Sequence, residues 1–171
     1  MPLPRNSFDT DKAIELILYV ASRLPAGKAT FFTISKVLYF ADLCHLDRYG
    51  QLISDDSYIA MKHGPMPSAI YNLMKKDSFR GIDKLSDGVF DLDGHTVIPR
   101  RDPDRDYLSE SEIECLDEML TKYGEMSFGS LSAASHKGAW NEADANDSIR
   151  LEDMVNMLPH RNELKQHIFG R

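Results

Sequence analysis

The chain has 171 residues, 42% hydrophobic and 27% charged, a balance that fits a folded globular domain with a buried core and excludes bulk disorder and fibrous architecture. Its net charge of −7 is unevenly placed: residues 1–50 carry six basic and five acidic side chains, residues 51–105 eight and nine, and residues 106–171 six and thirteen. A general grip on nucleic-acid phosphate is therefore disfavoured, and only a local patch such as Arg100, Arg101 and Arg105 could serve a DNA-binding regulator.

The start, Met1-Pro2-Leu3-Pro4-Arg5-Asn6, places no apolar run behind a basic residue, so no secretion signal is expected. The longest stretch without Asp, Glu, Lys or Arg, from His63 to Met74, is interrupted by Gly64, Pro65 and Pro67 and is too short to span a bilayer. These features predict a cytoplasmic protein in which Cys44 and Cys115 are reduced thiols, neither being in a metal-binding spacing.

Taken in chain order, Asp9-Thr10-Asp11 can cap a first helix whose apolar stripe is Ile14, Ile17, Leu18, Ala21 and Leu24, ended by Pro25-Ala26-Gly27. A second helix is expected from near Thr33 to Tyr49-Gly50. It is apolar on more than one side, with Ile34, Val37, Leu38, Ala41 and Cys44 on one stripe and Tyr39, Leu43 and Leu46 on another, which predicts a central position. Ser57–Lys62 reads as a strand, His63-Gly64-Pro65-Met66-Pro67 as a stiff turn, and Ser68 as the cap of a short helix carrying Ile70, Leu73 and Met74. Asp93-Gly94 between two short apolar runs predicts a hairpin.

Arg100–Arg105 forms a charged connector and a candidate subdomain boundary. Ser109-Glu110-Ser111-Glu112 is a capping-box pattern that opens a helix with Ile113, Leu116, Leu120 and Tyr123 inside and Glu110, Glu114, Asp117 and Glu118 outside. A short helix from Ser130 to about His136, a loop leading to Trp140, a helix over 148–158 and a helical tail after Pro159 complete the reading. The expected fold is mostly α, an α+β bundle of about six helices with a small antiparallel β element in the middle third. Residues 1–171 form one domain, with 1–8 as an N-terminal arm and about 146–171 as a C-terminal helical extension.

The chemistry-bearing residues do not assemble into a familiar motif. No phosphate-binding glycine loop, nucleophile-elbow serine or HExxH helix is present, and the six histidines at 45, 63, 95, 136, 160 and 167 form no i, i+3 or i, i+4 pair with one another. Neighbours on a helix point about 100° apart, so His45 is poorly placed to activate Cys44. Asp42 and His45 share a face as a surface pair or as part of a polar site beside His63. The His63–Pro67 turn either sets local geometry or offers a stiff recognition surface. Trp140 serves either as a core or as an interface anchor. The acidic helix face is either solvated surface or a site for a basic partner.

An ordered series of segments resembles the SocA-like Panacea antitoxin domain, which also occurs in phage-associated proteins of the GepA type. It comprises Lys36-Val37-Leu38-Tyr39-Phe40-Ala41-Asp42 with His45-Leu46 and Tyr49-Gly50, then Ile53 to Ala60, Gly64-Pro65-Met66-Pro67, and finally His136 with Ala139-Trp140. The resemblance spans about residues 12–145. It implies a non-enzymatic protein, with no cofactor and no metal, that binds and neutralises a co-encoded toxin. Some relatives are adaptors that deliver a toxin to a ClpXP-type protease. A small hydrolase or metal-dependent enzyme using Asp42, His45, His63 and His136 is the alternative from another class. The partner surface is placed at Asp42, His45, His63, Gly64, Pro65, Met66 and Trp140.

Overall fold

A computed structural model of the chain describes residues 7–75 and 88–170; residues 1–6 of the expected N-terminal arm lie outside them. The molecule is built around two long helices. In α1 (Thr10–Arg23) the Asp9 side chain accepts from the Lys12 N–H at 3.2 Å, and every residue from Ala13 to Ala21 is buried. In α2 (Phe31–Tyr49) nearly every residue from Phe31 to Leu46 is buried, so the helix apolar on several sides does occupy the centre. It begins earlier than the sequence suggests, because Thr30 acts as the cap and its hydroxyl accepts from the Thr33 N–H. It stops at Gly50, whose left-handed backbone (φ 75°) suits a glycine and few other residues.

Strand β1 (Tyr58–Met61) pairs antiparallel with β2 (Gly64–Pro67), in register Tyr58↔Pro67, Ile59↔Met66, Ala60↔Pro65 and Met61↔Gly64. The expected stiff turn over 63–67 is thus mostly strand. Two prolines are tolerated there because of what lies on the other side of β1. Tyr58 and Ala60 turn their backbone groups away from β2 toward residues 146–149: Ala60 N–H donates to Asp147 O, and Tyr58 O accepts from Ile149 N–H. Pro65 and Pro67 face these two residues, so they sit where the ladder asks for no N–H. The same contacts make the 146–149 segment a third edge of the ribbon, tying the C-terminal part of the chain to its middle.

Helix α3 (Ser68–Met74) follows directly. Ser68 does not cap it. The Asp56 carboxylate does, accepting from the Ala69 and Ile70 N–H groups at 3.1 and 2.9 Å. The second hairpin, β3 (Phe90–Asp93) and β4 (Thr96–Pro99), turns at Asp93-Gly94 as expected. It is anchored to the loop between α1 and α2 through Val97 N–H to Ala29 O and Phe31 N–H to His95 O.

The charged connector is pinned to α1. Buried Glu15 takes both arms of the Arg101 guanidinium, at 2.7 and 2.8 Å, and the Asp104 N–H at 2.8 Å. Burial raises the Glu15 carboxyl, but the bonds to Arg101 and Asp104 outweigh it and leave the group below its ordinary value. Arg100 pairs with Asp91 and Arg105 lies over the Tyr19 ring, so the small basic patch is largely engaged within the chain.

Helix α4 (Glu110–Tyr123) has the reciprocal capping box at Ser109 and Glu112, a feature whose serine alone contributes about 1 kcal/mol. Its buried edge is Glu112, Cys115, Leu116 and Met119, rotated from the predicted stripe, and Glu112 pairs there with Lys12 of α1. The outer acids are also partly occupied: Arg48 bridges Glu114 and Glu118, and the Tyr19 hydroxyl donates to Asp117. Helices α5 (Phe128–Ser135), α6 (Ala139–Glu142), α7 (Leu151–Asn156) and α8 (Arg161–Phe169) close the structure. The described residues therefore form a mostly α fold of eight α-helices and two small antiparallel hairpins.

Candidate functional site

Three layers build the region that the sequence singled out, from the interior to the surface. The innermost is a polar knot on α2. Asp42, 1% exposed, accepts from Ile53 N–H (2.6 Å), Ser54 N–H (3.0 Å), Ser54 Oγ (2.6 Å) and Tyr58 Oη (2.6 Å). Burial pushes the Asp42 carboxyl above its ordinary value, against the opposing pull of these donors. Burial, together with the facing carboxylate, holds the Tyr58 phenol firmly protonated. Four donors around one carboxylate fix the 53–58 loop against α2, and with it the start of β1. One turn along, His45 spans Gln51 O (2.7 Å) and Ser111 Oγ (3.0 Å), linking α2 to the same loop and to the start of α4.

The second layer is Lys36. Its side chain is fully buried without a carboxylate partner among the described residues; Nζ donates to Pro65 O at 2.6 Å, lies 3.4 Å from Met66 Sδ, and sits 4.9 Å from the centre of the Phe32 ring. Burial brings the amine down to about 7. Lys36 is a pin that holds β2 on α2. Gly64 completes the seat: its backbone is in the left-handed half of the map (φ 114°), and a Cβ there would lie 2.2 Å from Ser135 Oγ and 3.0 Å from Lys36 Cε.

The outermost layer is an apolar groove of about 300 Å³, whose lining includes Phe32, Met61, His63, Met66, Tyr71 and His95. Phe128, 54% exposed, extends this wall: its ring lies 4.3 Å from Phe32 and 4.9 Å, edge to face, from His63. Exposed Met61 stands at the end of β1. Trp140 braces the hairpin from the opposite side, stacking on His136 at 4.2 Å and donating from Nε1 to Met61 O at 2.9 Å.

The predicted site residues therefore divide. His63, Gly64 and Met66 line the groove, Pro65 is buried as the acceptor for Lys36, Trp140 holds the hairpin at Met61, and Asp42 and His45 lie inside the fold as loop anchors. Asp42, His45, His63 and His136 do not converge on a common point, and among the described residues no three His, Cys, Asp or Glu side chains are grouped to hold a metal ion. Sequence reasoning missed Phe32 and Phe128. The available signal was Phe128 itself, a large apolar residue alone among Ser127, Gly129 and Ser130, where no core stripe calls for it.

The central helix, the knot, the pinned hairpin and the His136–Trp140 stack all fall in one continuous stretch that defines a class of protein. Residues 34–141 match the family model of the antitoxin SocA-like, Panacea domain, and the chain belongs to that family. Neither a curated protein nor a solved structure matches the chain. No described helix is long and apolar enough to cross a membrane.

Proposed function

We propose that this chain is an antitoxin-type binding protein that neutralises a toxin by direct protein–protein contact, in the cytoplasm and without enzymatic chemistry of its own. The groove beside the 58–67 hairpin is the contact face. The observation that carries this reading is the exposed Phe128–His63–Met61 surface mounted on a hairpin that Lys36, Asp42 and Trp140 hold rigid. Exposed aromatic and methionine side chains on a preordered support lose little conformational entropy on binding and make effective anchors. In this role His63 and Met66 touch the partner, Gly64 shapes the floor, and Pro65, Asp42, His45 and Trp140 keep the surface in place. The whole chain acts as one domain, an arrangement supported by the pairing of residues 146–149 with β1.

The test is co-expression with the product of the adjacent gene. Growth should be restored and the two proteins should copurify, while Phe128→Asp should abolish both effects in a variant that retains its helical content and melting temperature. A neighbour that is harmless alone and does not bind, or a complex unaffected by Phe128→Asp, would count against the proposal.

A further inference from the structure

Cys44 on α2 and Cys115 on α4 are free thiols 71 positions apart in sequence, yet their Sγ atoms lie 3.1 Å from each other, about 1 Å beyond the ~2.05 Å of a disulfide bond. Cys115 is fully buried, whereas Cys44 keeps part of its surface open. Arg48, one helical turn after Cys44, is held over this seam by Glu114 and Glu118, and its guanidinium interacts electrostatically with both sulfurs. The open sulfur thus has a second sulfur in contact with it, with the Arg48 guanidinium nearby.

We propose that Cys44 and Cys115 are an oxidative modification site, at which hydrogen peroxide or another hydroperoxide converts the two thiols into an intramolecular disulfide across the seam between α2 and α4. Deprotonated Cys44 attacks one peroxide oxygen; an S–O bond forms, the O–O bond breaks, and the departing hydroxide takes a proton to become water. The Cys115 sulfur then attacks the sulfur of the Cys44 sulfenic acid. An S–S bond forms, the S–O bond breaks, and the departing hydroxide carries off the Cys115 proton as a second water. Two thiols are oxidised by two electrons and one hydrogen peroxide is reduced to two waters. The roles follow from access: Cys44 can meet the oxidant, while Cys115, whose thiol burial raises to about 12, resolves the intermediate from inside.

The bond would tie the helix bearing Lys36 and Asp42 to α4 and close a long loop in the unfolded chain, so the oxidised protein is the more stable form. The experiment uses the full chain, fully reduced, freed of reductant and exposed to excess hydrogen peroxide. The expected result is a mass loss of two hydrogens, a Cys44–Cys115 peptide pair in an unreduced digest, and a melting temperature raised by about 5 °C or more, all reversed by dithiothreitol. Cys115→Ala should instead accumulate a dimedone-reactive sulfenic acid at Cys44, and Cys44→Ala should remain unmodified. Two thiols still open to alkylation, oxygen addition to Cys44 without ring closure, or cross-linked dimers only would overturn the proposal. The wild-type mass and peptide map decide it even if a variant fails to fold.

Discussion

The knot around Asp42 meets the hairpin at Tyr58 and the groove beside Phe128 meets it at Met61 to Gly64, yet they obey opposite rules. In the knot, a polar side chain is buried and all its bonding capacity is met within the chain: one carboxylate takes two N–H groups and two hydroxyls. In the groove, large apolar side chains are exposed, and what they gain from one another still leaves Phe128 more than half open. Satisfied and buried groups stabilise the fold, whereas exposed apolar groups are better matched by something outside it. Asp42, His63 and Phe128 all fall within the family match, whereas Phe32 precedes it, so membership in the motif does not by itself separate a scaffold residue from a contact residue.

Substitutions can break this contrast. The largest effect should come from Asp42→Ala, which strands two backbone N–H groups and the hydroxyls of Ser54 and Tyr58 in a dry site. A loss of about 3–4 kcal/mol is expected in chemical denaturation, and a loss under 1 kcal/mol would remove the knot's structural role. Tyr58→Phe deletes a single bond to the carboxylate and should cost about 1.5–3 kcal/mol by the same measurement. On the groove side, Phe128→Ala should weaken the proposed toxin complex roughly tenfold in calorimetric titration while leaving the melting temperature within about 2 °C of wild type. A drop in stability without a drop in affinity would make Phe128 a core residue after all.

The last and most diagnostic effect, read as a pH dependence, belongs to Lys36→Met. Burial lowers the amine from 10.5 to about 7, so between those values the unfolded chain binds a proton that the folded chain does not. Stability contributed by this group therefore rises with pH across that window. The stability of Lys36→Met relative to wild type should be highest below pH 7 and fall toward pH 10. A difference that stays flat across that range would show that the amine titrates normally.

The parts of the fold governed by local chemistry were legible in the sequence. The Asp9 cap, the Gly50 stop, the Asp93-Gly94 turn and the Ser109–Glu112 capping box all follow from neighbouring residues and all stand where expected. Misreadings arose where a distant partner decides. Pro65 and Pro67 spell a turn until residues 146–149 take up the other edge of β1, and Ser68 looks like a cap until Asp56 supplies one. Glu112 reads as a capping-box residue, and only the fold shows that it is also buried and paired with Lys12 of α1. The site was legible to the same extent. The hairpin was located from its Gly-Pro-Met-Pro sequence, but the burial of Asp42 and His45 and the pairing of Phe32 with Phe128 depend on contacts that no local pattern encodes.

The cap on α3 has a consequence for how this part of the chain comes into being. Seven residues are too few to hold a helix in water unaided, and the carboxylate that satisfies its first turn belongs to a loop that Asp42 must first dock on α2. Helix α3 thus leans on that docking for its cap, and the hydrogen bonds of one buried aspartate reach, through the loop and a second aspartate, to the element that follows the hairpin.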